Sequence, residues 1–353
     1  MRRLITVIAL CVLSADSPVG HAQGAWTFAA AMPTPRYWLG VAADSNGLIY
    51  AIGGFDGSNV SDVVERFDAT ANTWARVASL PTARAALAVA SGADGRIYAV
   101  GGWNGGNKNT VEAFEPALGR WLDVQSMPTP RQALAAATGA DGKIYAIGGI
   151  GVSPSSTTEA YDPKSGTWAA VAPMPTSRSD LAATTGLDGR IYVVGGYGNA
   201  QTLGTLEAYD PPTNTWASLA PMPTPRGALA AATGSDGRIY AIGGKPLNGP
   251  ASSTVEIYDP KTGSWSAGPP APDARFWLGA ARGRDGRIYT VGGTTGLITS
   301  GSLEILTSRR LLPTSGLREM AIRRSLDEGG RDPASQSARL AASLVQEDAN
   351  CIP

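Results

Sequence analysis

The chain has 353 residues, 43% of them apolar, 16% charged and 7% aromatic, a balance too apolar and too weakly charged for a disordered polymer. Basic and acidic side chains number 29 each, so no basic surface for nucleic acid is evident and no nucleic-acid partner is expected. Forty-four glycines and 25 prolines, without a Gly-X-Y period, point to many short elements joined by turns.

From the N-terminus, Arg2 and Arg3 precede an apolar stretch from Leu4 to Leu13, and the small residues Gly20 and Ala22 follow. Residues 1–22 are predicted to be a secretory signal peptide cleaved after Ala22, giving a secreted or periplasmic product. The apolar stretch is too short for a bilayer, which needs about twenty residues, and no later segment reads as a membrane span. Cleavage removes His21, the only histidine, and leaves Cys351 as the only cysteine. The mature chain therefore lacks the residues for a Ser-His-Asp triad, a Cys-His pair, a His or Cys metal cage, or an internal disulfide. No metal or cofactor is expected.

Trp26 opens an internal repeat. Tryptophans recur at Trp74, Trp121, Trp168, Trp216 and Trp265, spaced 47 to 49 residues. A glycine doublet begins 27 residues after each tryptophan that opens a unit, from Gly53-Gly54 to Gly292-Gly293, and an arginine lies ten after each: Arg36, Arg84, Arg131, Arg178, Arg226 and Arg275. An aromatic residue precedes each of the five later tryptophans by seven: Phe67, Phe114, Tyr161, Tyr209 and Tyr258. Each unit reads as four short strands. Strand a is small and apolar, as in Ala133 to Thr138 or Ala228 to Ala232, and ends at an Asp-Gly or Asn-Gly turn. Strand b carries Ile-Tyr-Ala-Ile-Gly-Gly, strand c carries Thr-Glu-Ala-Tyr-Asp, and strand d holds the tryptophan. A single unit cannot bury its own faces, whereas units stacked radially bury one another.

Ile-Tyr-Ala-Ile-Gly-Gly, Val-Glu-Ile-Tyr-Asp-Pro, the spaced tryptophans and Met-Pro-Thr-Pro-Arg resemble kelch repeats, and the resemblance covers about residues 25–306. It implies an all-β fold, a six-bladed kelch β-propeller of four antiparallel strands per blade over residues 24–306, of the secreted bacterial kind. The orphan strand around Trp26 is expected to complete the sixth blade. From Thr307 the pattern stops. Residues 307–353, with seven arginines against six acidic residues, are expected to form a disordered tail or short helices.

In such a meander the bc and da loops share one face. Only the step from the glycine doublet to the strand-c aromatic position varies, between 13 and 15 residues, so variation is confined to bc loops, and that face is the candidate binding surface. The two residues after the repeated arginine are aromatic in two units only, as Tyr37-Trp38 and Phe276-Trp277. Ring closure makes these units neighbours. Phe55, Trp103 and Tyr197 follow glycine doublets, and Asp56, Asn104 and Asp180 supply polar groups nearby. Aromatic rings with amides and carboxylates suit a protein or glycan ligand. The repeated arginines, with Glu65, Glu112, Glu159, Glu207, Glu256 and Glu304, keep six-fold symmetry and read as structural ion pairs. Arg282 replaces a small polar residue at the end of strand a, and Arg284 lies in the next turn, on the opposite rim.

The chain is read first as a binding module without enzymatic activity. The alternative is a metal-independent sugar mutarotase resembling bacterial N-acetylneuraminate epimerase, in which Asp180 could do acid/base work. Copper-dependent galactose-oxidase-like chemistry is excluded, since it requires histidine ligands and a cysteine-linked tyrosine.

Overall fold

Short apolar runs punctuated by glycine turns fold here into four-stranded antiparallel meanders. A computed structural model describes residues 24–308. The predicted signal segment and Cys351 lie outside the described residues, as does the predicted tail beyond Ser308. Among the described residues, 24 strands make six separate sheets of four, with no helix, in the six-bladed propeller the repeats imply.

Strand a of successive blades is Gly40–Ala43, Ala88–Ser91, Ala135–Thr138, Ala182–Thr185, Ala230–Thr233 and Gly279–Arg282. In the first blade, strands b, c and d are Ile49–Ile52, Val64–Asp68 and Thr73–Arg76. The sixth blade takes its strand d from the N-terminus. Ala25–Phe28 pairs antiparallel with Leu303–Thr307, placing Trp26 opposite Leu306 and Ala25 opposite Thr307. That pairing carries the last strand one residue past the predicted boundary.

Every strand b is buried at all four positions, because both its faces lie against neighbouring blades. Strand d is exposed apart from its partly buried tryptophan, with Leu122 and Leu219 also partly buried. The core is accordingly six clusters, each spanning two adjacent blades. One joins Tyr50, Ile52 and Val64 to Leu87, Ile97 and Phe114, and the one between the fifth and sixth blades packs Trp26 against Ile288 and Leu306. Strand-d indoles also link blades through hydrogen bonds: Trp74 Nε1–H donates to Ala30 O at 2.7 Å and Trp26 Nε1–H to Pro269 O at 2.9 Å.

The repeated arginines tie each da loop to the strands of its own blade through their guanidinium groups and to the preceding blade through their carbonyls. All six are almost completely buried, and each pairs with the glutamate of its own strand c. Distances are 2.6 to 3.0 Å for Arg36–Glu65, Arg84–Glu112, Arg131–Glu159, Arg178–Glu207 and Arg275–Glu304, and Arg226 pairs with Glu256. The second carboxylate oxygen is also occupied, by Thr34 Oγ1–H on Glu65 and Thr176 Oγ1–H on Glu207. The arginine's own carbonyl meanwhile accepts the N–H of the second doublet glycine in the preceding blade, as in Gly54 to Arg84 at 2.8 Å. The first residue of the doublet is glycine for this reason. A Cβ on Gly53, with φ of 60°, would stand 2.5 Å from Arg84 O, and one on Gly195 would stand 2.4 Å from Arg226 O.

Candidate functional site

The residue two after each repeated arginine has left-handed backbone. Trp38, Ala86, Ala133, Asp180, Ala228 and Trp277 have φ between 49° and 55°, a conformation that costs a non-glycine residue about 1–3 kcal/mol. The compensation is a closed circle of main-chain hydrogen bonds at 2.8 to 3.0 Å. Ala86 N–H donates to Trp38 O, Ala133 to Ala86, Asp180 to Ala133, Ala228 to Asp180, Trp277 to Ala228, and Trp38 back to Trp277. Ala133 and Ala228, predicted as strand, belong to this circle, and their strands begin two residues later.

Tyr37, Trp38, Phe276 and Trp277 meet at the mouth of the axial channel. Trp38 and Trp277 have ring centroids 4.2 Å apart, Tyr37 stacks on Trp277 at 5.6 Å, and Phe276 lies 4.6 Å from Trp277. Phe55 joins through Tyr37 at 5.5 Å, since their backbones form a bridge between the da and bc loops. Trp277 Nε1–H reaches across the mouth to Asp180 Oδ1 at 2.9 Å, and Ser179 Oγ–H donates to Asp180 Oδ2 at 3.0 Å. Burial pushes the Asp180 carboxyl above the usual carboxylate range, against the pull of these two hydrogen bonds. Trp38 Nε1–H is buried with no partner among the described residues. Trp38, Trp277, the other residues of the left-handed circle and the leucines that follow them line an open cavity of about 130 Å³.

The other candidates lie on the same face but do not converge. Trp103 bridges to Ala85 by its backbone and joins no aromatic pair among the described residues. Tyr197 packs where a side chain on Gly227 would clash at 2.7 Å, and its hydroxyl donates to Lys245 O at 3.0 Å. Burial, then the Asp180 charge, raises its pKa. Asp56 caps its own turn by accepting from Ser58 and Asn59 N–H, while Asn104 Nδ2–H donates to Ala83 O. Sequence reasoning missed a second apolar population on this face. Val152, Leu247, Leu297 and Ile298 stand exposed on bc loops, and apolar residues within those variable loops were the available signal.

The channel's other mouth, on the ab-turn side, opens into a cavity of about 440 Å³. At the last strand-a position, Ser91, Thr138, Thr185 and Thr233 each donate a hydroxyl hydrogen bond to the carbonyl of the equivalent residue one blade earlier, at 2.6 to 2.8 Å. Around this rim Arg96, Lys143, Arg190, Arg238 and Arg287 each form an ion pair with the aspartate of their own turn.

Comparison with known proteins follows the repeats. The KLHDC2/KLHL20/DRC7 Kelch-repeats domain matches residues 125–293, and the Kelch motif matches residues 43–81 and 84–128. No curated protein matches the chain at a significant level. A solved structure titled "Structure of YjhT" is similar in fold, with a TM-score of 0.68 at 15% identity over 80% of this chain and 98% of that one.

Proposed function

From the premise that the chain belongs to the kelch-repeat family, we propose that it is a binding module engaging a protein partner through the bc/da face. The observation that carries this reading is the set of exposed apolar residues on the bc loops, Val152, Leu247, Leu297 and Ile298, on the face that also carries the aromatic centre. Exposed apolar side chains grouped on one face mark docking surfaces, and the half-buried Trp38 and Trp277 at the centre are side chains that a partner would bury as hot spots. A small sugar is less well served. The open cavity at the indoles is about 130 Å³, against the roughly 300 Å³ or more of ordinary small-molecule pockets. For a chain exported by its predicted leader, the partner would be met outside the cytoplasm.

One feature favours the mutarotase alternative, the raised pKa of Asp180, since a carboxyl titrating nearer neutrality suits proton transfer. The test screens the full chain against displayed peptide loops and a glycan array in parallel. A selected peptide should bind at least ~30-fold more weakly to Trp277→Ala, the equivalent of a hot spot of about 2 kcal/mol, and more weakly to Leu297→Ser. Peptides indifferent to both changes would sink the protein-partner reading, and sugar binding with anomer interconversion lost in Asp180→Asn would replace it with the enzyme.

A further inference from the structure

The 440 Å³ cavity at the ab-turn mouth is lined by strand-a and turn residues of all six blades, and the charged residues in that lining are Asp44, Arg282 and Arg284. Asp44 is occupied, because its carboxylate accepts from Asn46 N–H and Leu48 N–H at 2.9 Å and from the Tyr50 hydroxyl at 3.3 Å. Arg282 stands where four blades carry the hydroxyl of the rim circuit, and it reaches over the seam to Gly234 O at 3.5 Å. Neither Arg282 nor Arg284 forms an ion pair among the described residues, whereas the five basic residues around them are all neutralised by their turn aspartates. The unpaired positive charge of this rim is thereby gathered on two exposed arginines beside a concave mouth, which raises the local concentration of anions.

We propose that this mouth is an oxyanion site, in which Arg282 and Arg284 hold a small carboxylate or phosphate. A guanidinium fork matches both groups with paired N–H donors. The hydroxyl protons of Ser91, Thr138, Thr185 and Thr233 are committed to neighbouring carbonyls, so the arginines supply the charged donors. The site is independent of the bc/da face, which lies at the channel's other end.

The test is calorimetric titration of the full chain with citrate and with inorganic phosphate, at low and at high salt. Arg282→Thr combined with Arg284→Ser installs residues that other blades already carry at these positions, so the fold should be retained, checked by an unchanged melting temperature. The expected result is saturable binding that weakens with salt and falls at least ~10-fold in the double variant, while Arg287→Gln, whose arginine is held by Asp285, binds as the parent does. Preference for citrate assigns a carboxylate ligand and preference for phosphate assigns a phosphate. Absence of saturable binding to either anion, or undiminished binding by the double variant, overturns the proposal.

Discussion

Replacing Arg178 by methionine should destabilise the propeller by about 3–5 kcal/mol, the scale of breaking a buried pair from one side. Its guanidinium has no solvent exposure and donates to Glu207 Oε2 at 2.9 Å, Thr205 O at 3.0 Å and Val193 O at 3.2 Å. Burial pushes its pKa down to about 10, against the charge of Glu207, which draws it up. Methionine replaces much of the volume, and Thr205 O retains the Gly195 N–H. The cost therefore falls on Glu207, left as a buried carboxylate with Thr176 Oγ1–H as its side-chain donor. At roughly 2–4 °C per kcal/mol for a chain of this size, calorimetry should find the melting temperature lowered by roughly 6–20 °C. Changing Glu207 to methionine as well removes the stranded charge and should recover part of the loss. A single variant within about 2 °C of the parent, or a double variant less stable than the single, would refute the assignment of the cost to an unpaired carboxylate.

Gly195→Ala should lower stability by at least about 2 kcal/mol in urea unfolding, because the new Cβ meets Arg226 O at 2.4 Å as well as adopting φ of 64°. Gly119→Ala shares the backbone strain, with φ of 63° and nothing within 4 Å, and should lose about 1 kcal/mol; equal losses would deny the steric clash between blades. Asp180→Asn tests the raised carboxyl. A folded pKa above the unfolded value contributes stability below the unfolded pKa that is lost as pH rises through the folded one. The stability of the Asp180→Asn variant relative to the parent should therefore rise from about pH 4 toward neutrality in thermal melts, and a pH-independent difference would contradict the desolvation of Asp180.

Blade number, strand order and closure were legible because they rest on spacing. Six tryptophans and six glycine doublets in register leave one strand over at the N-terminus, and Trp26 opposite Leu306 is where it goes. The meeting of Tyr37, Trp38, Phe276 and Trp277 was equally legible, since ring closure makes the first and last units neighbours. What escaped depends on three-dimensional exchange between positions. The left-handed circle was invisible because alanine at Ala86, Ala133 and Ala228 reads locally as strand, and only the neighbouring blades' carbonyls make φ near 50° worthwhile. The first ab turn is a second case. Asn46-Gly47 lacks the aspartate of the other turns, and Asp44 supplies the carboxylate from two residues earlier. Other units have glycine there because Asp94 Oδ1 and the Tyr98 ring would lie 2.4 and 2.6 Å from a Cβ on Gly92. Convergence also failed for Asp56 and Asn104, whose side chains are consumed by local turn chemistry rather than turned toward the mouth.

The hydrogen-bonded circle at the channel mouth is written wholly in main-chain atoms, so it asks nothing of the six side chains it carries. Tryptophan, alanine and aspartate already share it. Evolution, or a designer, can thus rewrite those six characters one at a time while the hoop beneath keeps its diameter, making it a natural turret for changing what the protein recognises without retuning how it folds.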